Sequence, residues 1–320
     1  EKNNISVKII KDLKDKNTSS EEAIKNLAYL IRNDSTYGLF PSKIEVNKNY
    51  LIINDQKIYC DFSENILDVP WSKFKIDLLI ESSGNQSNIN NLKKILSKKL
   101  KNIIITRSSK NSDFTLVYGV NEKQFDPAKQ KIISLSTCTG NATAPFLKII
   151  NDNLIIENGY LSTIHPVLSS EKSLDGPSRL VQLGRASKNV KLIDTAISKS
   201  VIEVIPELKN KISKDALSYR IPTDIVSSVY GVLKVKKIKS KIEIIKLINK
   251  NSNSEIIDIC DGFFNKELVS LDYIKDKRSS IISKQRLSTN GNLLRFHIWH
   301  DNEYGYCFRI YDAIRDIQSR

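Results

Sequence analysis

Three short runs in the first part of the chain constrain its fold most. IDLLIESSG (76–84), NIIIT (102–106) and KQKIISLS (129–136) are apolar through their centres, without the polar alternation of a half-exposed strand. Strands apolar on both faces need cover on both faces, and a parallel sheet with helices above and below supplies it. The intervening segments fit that arrangement. SSEEAIKNLAYLI (19–31) opens on a Ser19/Glu22 capping box and carries Ile24, Leu27, Ala28 and Ile31 on one helical face. NINNLKKILSKKLKN (88–102) reads as a second helix and ISVKII (5–10) as a further strand. NYLIINDQKIYC (49–60) reads as a hairpin turning at Asn54-Asp55. In such sheets ligands bind beyond the C-terminal strand ends, which is where ESSG, ITRSSK and STCTG lie.

Past Cys138 the pattern changes. ENGYLSTIH (157–165), IVSSVYGVLKVKK (225–237) and NGNLLRFHIWH (290–300) are longer and alternate, as in an antiparallel sheet with one covered face. SKIEIIKLINKN (240–251) is an amphipathic helix, and DNEYGYCFRIYDAIRDIQ (301–318) reads as a closing one. The expected fold class is α/β, with a parallel first domain over 1–137, an α+β second domain over 138–301, and the helix at 302–320 completing the first.

A chain of 320 residues is long enough for two cored domains, and 40% hydrophobic with 27% charged residues is ordinary for a soluble protein. No apolar run approaches the roughly 18–20 residues of a membrane span. EKNNISVKII lacks the layout of a signal peptide. The four cysteines, at 60, 138, 260 and 307, show no CxxC pairing, so neither a disulfide framework nor a metal site is expected, and a reducing, cytoplasmic setting is. The net charge of +14 attracts anions such as phosphorylated metabolites, dinucleotides or nucleic acid. Lysine is dispersed, however, and the densest basic run, VLKVKKIKSKIEIIK (232–246), reads as a solvated strand and helix face. Neither a nucleic-acid nor a membrane partner is expected. The chain contains no methionine and does not open on one, which points to a processed, engineered or incomplete chain.

Chemistry concentrates at SLSTCTGNATAP (134–145), where Cys138 stands among small polar residues before a helix. A thiol reacts as thiolate, which a helix N-terminus and a nearby histidine favour. Of the three histidines, His297 and His300 lie in or beside an alternating strand and read as structural. His165 ends YLSTIH before an irregular segment, where a functional and a structural role are both open. Arg220 in SYRIPTD suits an oxyanion or a surface ion pair, and Asn302 stands in the N-cap region of the last helix.

Taken together these segments resemble the glyceraldehyde-3-phosphate dehydrogenase family. STCTGN is similar to that family's S-C-T-T-N motif, and STIH, DGPS, GRAS, IPELKNKI, YRIPT and WHDNEYGY follow in the family's order. The intervals from Cys138 to His165 (27 residues), Arg220 (82) and Asn302 (164) match as well. KDL (11–13), RNDSTYGLF, DLLIESSG and YGVN supply upstream counterparts, so the resemblance covers nearly the whole chain.

The resemblance implies a Rossmann-type NAD-binding domain and a catalytic domain. It implies that Cys138 attacks the aldehyde and that His165 is the base. Hydride would pass to NAD, leaving a thioester that inorganic phosphate cleaves to an acyl phosphate. By the same resemblance, Thr137, Thr139, Thr195 and Arg220 would hold substrate or inorganic phosphate. Asn302 would hold the nicotinamide carboxamide and Asp12 the adenosine ribose, with Ser83 and Thr106 lining the cofactor cleft. The family forms homotetramers, with the segment around 169–192 near the centre.

Departures accompany the match. The family's opening strand and G-x-G-x-x-G turn have no counterpart, and without them a Rossmann sheet lacks its central strand and pyrophosphate site. The expectation is that the natural chain extends beyond Glu1. Leu168 stands where the family has a phosphate-binding threonine, Gly140 replaces the motif's second threonine, and Ala196 replaces a glycine beside Asp194. Arg107 replaces an alanine beside the cofactor, and Ala142 a second cysteine. Erythrose-4-phosphate dehydrogenase, or a catalytically weak paralogue with a binding role, is therefore the alternative.

Overall fold

The computed structural model describes residues 5–178 and 180–320. In the first part, β1 (Ile9–Lys11) leads to α1 (Ser20–Arg32), whose N-cap Ser19 accepts from the Glu22 backbone N–H. A two-stranded ribbon follows, β2 (Asn33–Asp34) with β3 (Gly38–Leu39). Then come β4 (Ile44–Asn47), β5 (Tyr50–Ile53) and β6 (Gln56–Asp61). The β5–β6 hairpin turns where expected, because Asn54 and Asp55 both adopt the left-handed conformation (φ 47° and 63°) that a two-residue hairpin turn requires. The apolar runs become β7 (Leu78–Glu81), β8 (Asn102–Ile105) and β10 (Ile132–Ser134), with α2 (Gln86–Ile95) after β7 and the short β9 (Phe114–Thr115) before β10. The second helix stops at Ile95, short of the expected 102. Leu96 turns extended there, and the Ser97 hydroxyl accepts from the backbone N–H groups of Lys99 and Leu100, closing a turn instead.

The strands form two sheets, as a Rossmann sheet without its central strand would. One four-stranded sheet has the order β1-β6-β5-β4, and a second, wholly parallel, has the order β7-β8-β10-β9. Among the described residues β1 pairs only with β6 and β7 only with β8. Residues 5–12 and 76–83 line a cleft of about 1080 Å³ between the sheets. Asp12 and Ser83, at the C-terminal ends of β1 and β7, both border it.

The second part begins with α3 (Cys138–Leu154) and β11 (Ile156–Pro166). Then come α4 (Val181–Gly184), β12 (Lys191–Asp194), α5 (Ile197–Val204), β13 (Leu217–Ile221), β14 (Ser227–Val235), α6 (Lys241–Asn251), β15 (Ile257–Cys260), β16 (Ser280–Ser283), β17 (Ser288–Asn290), β18 (Leu293–His300) and α7 (Tyr304–Ser319). The strands form one sheet, β12-β13-β11-β14-β18-β16-β15, with β17 against β18. It is mostly antiparallel, with β11/β13 and β15/β16 parallel. Alternation along β14 and β18 buries Val229, Leu233, Leu294, Phe296 and Ile298 against α3. There the Phe146 and Phe296 rings meet with centroids 4.5 Å apart. The closing helix α7 packs Ile310, Ala313, Ile314 and Ile317 with Ile104, Ile133 and Leu135 of the parallel sheet.

All three histidines lie on this large sheet, His165 on β11 and His297 and His300 on β18. Burial holds His165 and His297 down at about 4 and His300 at about 3. An unfolded histidine titrates near 6.5, so between about 6.5 and 4 the unfolded chain binds protons that the folded chain refuses. Stability therefore falls as pH falls through that window, by up to about 1.4 kcal/mol per pH unit for each histidine. Urea unfolding should show a loss on the order of 5–6 kcal/mol between pH 7 and pH 5. His297→Gln should reduce that slope by about a third. A stability that is flat over the interval would show that the buried imidazoles take up protons without cost.

Candidate active site

The turn between β10 and α3 builds the site. Ser136 is left-handed (φ 58°) although it carries a side chain, a conformation that costs about 1 kcal/mol or more unless its surroundings hold it. Two side chains hold it. Buried Asn141 donates from Nδ2 to the carbonyls of Leu135 (2.7 Å) and Thr137 (2.9 Å), and the Tyr306 hydroxyl of α7 donates to the Ser136 carbonyl (3.2 Å). Thr137 is the N-cap, its Oγ1 accepting from the Gly140 N–H at 3.0 Å, and Cys138 is the first helical residue. The absence of a side chain at Gly140 has a local cause. An added Cβ would lie 2.8 Å from Ser136 Oγ and 3.0 Å from Ser200 Cβ. The Thr137 and Thr139 hydroxyls are 3.2 Å apart, and Thr137 Oγ1 donates to Ser200 Oγ of α5.

Facing this turn, His165 Nε2 is 3.9 Å from Cys138 Sγ. Its Nδ1 is 2.9 Å from the Pro166 carbonyl oxygen, which can only accept. That contact assigns the proton of the neutral ring to Nδ1 and leaves the Nε2 lone pair toward the thiol. Strand register sets the third member. His165 of β11 pairs with Arg220 of β13, and Arg220 pairs with Lys191 of β12, so three cationic or basic residues stand side by side across three strands. Lys191 and Glu171 were not expected at the site. The Lys191 Nζ lies 2.8 Å from Glu171 Oε2, and Glu171 Oε1 is 3.7 Å from Arg220 Nε.

The other expected residues are distributed. Asn302 precedes α7, and its neighbour Asp301 accepts from the Glu303 and Tyr304 backbone N–H groups. The Asn302 Oδ1 accepts from Ser227 Oγ at 3.2 Å. Thr195 follows β12, and its backbone N–H is tied to the Ala216 carbonyl. Thr106 donates to the Glu81 carbonyl, joining the ends of β8 and β7. Ser83 donates to Glu81, and Asp12 accepts from the Leu13 N–H. Asp12 and Ser83 thus belong to the inter-sheet cleft, while Thr137, Thr139, His165 and Arg220 gather around Cys138. Arg107 caps the loop after β7 through the Gly84 carbonyl. Asn141 and Tyr306 were within reach of sequence reasoning, since both lie inside quoted motifs.

The electrostatics cut against a simple thiolate. Burial pushes the Cys138 thiol up, while the Thr139 N–H and the Arg220 charge pull it down. His165 is held at about 4 by burial first and by Arg220 second. Arg220 therefore favours the thiolate and disfavours the imidazolium, pressing the pair toward a charged sulfur beside a neutral ring. Removing this charge with Arg220→Met should move the pH profile of Cys138 alkylation by iodoacetamide to higher pH, followed by mass spectrometry of that peptide. The His165 ring should titrate at higher pH in the same variant. Unchanged profiles would show that the guanidinium charge does not reach the sulfur.

Comparison with known proteins bears on the same segments. Residues 2–89 match the family model described as glyceraldehyde 3-phosphate dehydrogenase, NAD binding domain, and residues 137–302 match its C-terminal domain. The chain is 35% identical over 294 residues to glyceraldehyde-3-phosphate dehydrogenase 1 of Trichormus variabilis, covering 90% of this chain and 85% of that protein. It is 32% identical over 300 residues to glyceraldehyde-3-phosphate dehydrogenase 2 of Drosophila melanogaster, covering 93% and 89%. The enzyme of Geobacillus stearothermophilus is 31% identical over 320 residues, covering 99% and 92%. With both halves matched in order, NAD is the cofactor and the chain belongs to the glyceraldehyde-3-phosphate dehydrogenase family of oxidoreductases.

Proposed function

We propose that the protein catalyses the phosphorylating oxidation of glyceraldehyde 3-phosphate to 1,3-bisphosphoglycerate through a thioester on Cys138. The observation that carries this reading is the 3.9 Å approach of Cys138 Sγ to the unprotonated Nε2 of His165. Cys138 Sγ attacks the aldehyde carbon, and His165 Nε2 accepts the proton released along that path. Bound NAD supplies the hydride acceptor. Phosphate then attacks the acyl carbon and Cys138 leaves as thiolate, next to the Thr139 N–H and the Arg220 charge. Arg220, Thr137, Thr139 and Thr195 are assigned to the two anions.

The residues present fit NAD at both ends. Asp12 offers an exposed carboxylate at the end of β1, suited to ribose hydroxyls and repulsive to a 2′-phosphate. The Asn302 amide, its oxygen engaged by Ser227, keeps its Nδ2 donors for a carboxamide. No G-x-G-x-x-G run occurs in these 320 residues to cradle the diphosphate, so the fit rests on the two ends. We assign 1–137 with the helix at 302–320 to the cofactor and 138–301 to catalysis. Assembly as a homotetramer is supported by the apolar side chains that 169–192 leaves outside, with Leu174 78%, Val181 82% and Val190 65% exposed.

Erythrose 4-phosphate is the second substrate reading. What favours it is Leu168, which is exposed and brings no donor, together with the exposed Asp194 beside Thr195. NADH formation from glyceraldehyde 3-phosphate should require added phosphate or arsenate, and Cys138→Ser should abolish it. His165→Asn should lower kcat by about 10²- to 10⁴-fold with Cys138 still alkylatable. Turnover indifferent to phosphate, or a higher kcat/KM for erythrose 4-phosphate, would overturn the leading reading.

A further inference from the structure

We propose that Lys191 and Glu171 are positioning residues that keep the Arg220 guanidinium open to the substrate's phosphate. The inference rests on the reading that Arg220 receives that phosphate. Lysine is rarely buried without a partner, yet the Lys191 side chain is only 3% exposed and its partner Glu171 only 1%. Their 2.8 Å contact uses one carboxylate oxygen, Oε2. The other, Oε1, stands 3.7 Å from Arg220 Nε, too far for a hydrogen bond. Glu171 Oε1, Arg220 Nε and Arg220 Nη1 are all buried and all lack a hydrogen-bond partner.

This arrangement is unusual for a buried carboxylate beside a guanidinium, which ordinarily close into a two-bond fork at about 2.7–2.9 Å. Lys191 prevents the closure. It stands directly opposite Arg220 in the β12/β13 pairing and draws the carboxylate to its own ammonium. Glu171 remains near enough to orient Arg220 but does not occupy its donors. Two cations share one anion, leaving a surplus positive charge and unsatisfied donors beside Cys138. A dianionic phosphate at the exposed part of the Arg220 side chain balances that charge. Without the Lys191 charge, Glu171 is free to fold onto Arg220, neutralise it and block it.

The test compares glyceraldehyde 3-phosphate with glyceraldehyde, which has the same aldehyde and no phosphate. Lys191→Met should raise KM for the phosphorylated substrate by about tenfold or more, with kcat within about twofold and the KM for glyceraldehyde unchanged. Lys191→Arg should stay close to the parent protein. Lys191→Met combined with Glu171→Gln removes cation and anion together, and should bring KM back to within about threefold of the parent. If Lys191→Met alone does not fold, the double variant and Lys191→Gln carry the test. The latter keeps a donor for Glu171 without its charge and should show the same selective KM increase. Equal losses on both aldehydes, or an unchanged KM for the phosphorylated one, would overturn the proposal. A parent protein that does not distinguish the two aldehydes would instead overturn the assignment of Arg220.

Discussion

Helix α3 is the constraint on which the rest depends. Its first turn carries Cys138, and its body is the hydrophobic centre of the second part of the chain, with Ala142, Ala144, Phe146, Leu147 and Ile150 buried. One rigid element thus joins the sulfur to the core. A fully buried Phe146 contributes about 3–5 kcal/mol by comparison with alanine, far more than the strain at Ser136 just upstream. The helix can therefore impose the left-handed turn that starts it. The three residues from 135 to 137 are then fixed at both ends, by β10 on one side and by the Asn141 amide on the other.

The opposite wall of the site is built by register rather than by a helix. A parallel pairing of β11 with β13 and an antiparallel pairing of β13 with β12 place His165, Arg220 and Lys191 in one row. Slipping either pairing by a single residue would turn the row's side chains to the other face of the sheet. Buried alternate residues along β11, Leu161, Thr163 and His165, resist a slip of its pairing. Core packing on one side of the sheet thereby fixes the spacing of charges along it.

Much of this architecture was legible in the sequence because local physics decided it. Asn54-Asp55 turns the hairpin because those residues tolerate positive φ, and Ser19 and Ser240 cap helices through their own hydroxyls. Cys138 and His165 were singled out through motif and interval, and the fold brings them within 3.9 Å. The end of α2 was missed because Ser97 competes for the backbone where lysines alone read as helical. The strand β4 was missed because Ile44 and Val46 gain their cover only from α1 and β5. Glu171 and Lys191 were beyond reach for another reason. They lie 20 residues apart in sequence, and only the strand pairing brings the lysine to the arginine.

The departures from the family motif also acquire a physical reading. Gly140 sits where Ser136 and Ser200 already crowd the helix start, so a threonine there would collide unless both moved. Its loss takes a hydroxyl from the wall around Cys138, and Leu168 removes another from the segment after β11. In the same wall Lys191 is buried against Glu171. Hydroxyl donors supply directed bonds to an anion, whereas an ammonium supplies charge that acts over a longer distance in a poorly solvated wall. On the reading that Arg220 receives phosphate, that charge compensates over distance for directed bonds that Gly140 and Leu168 do not supply.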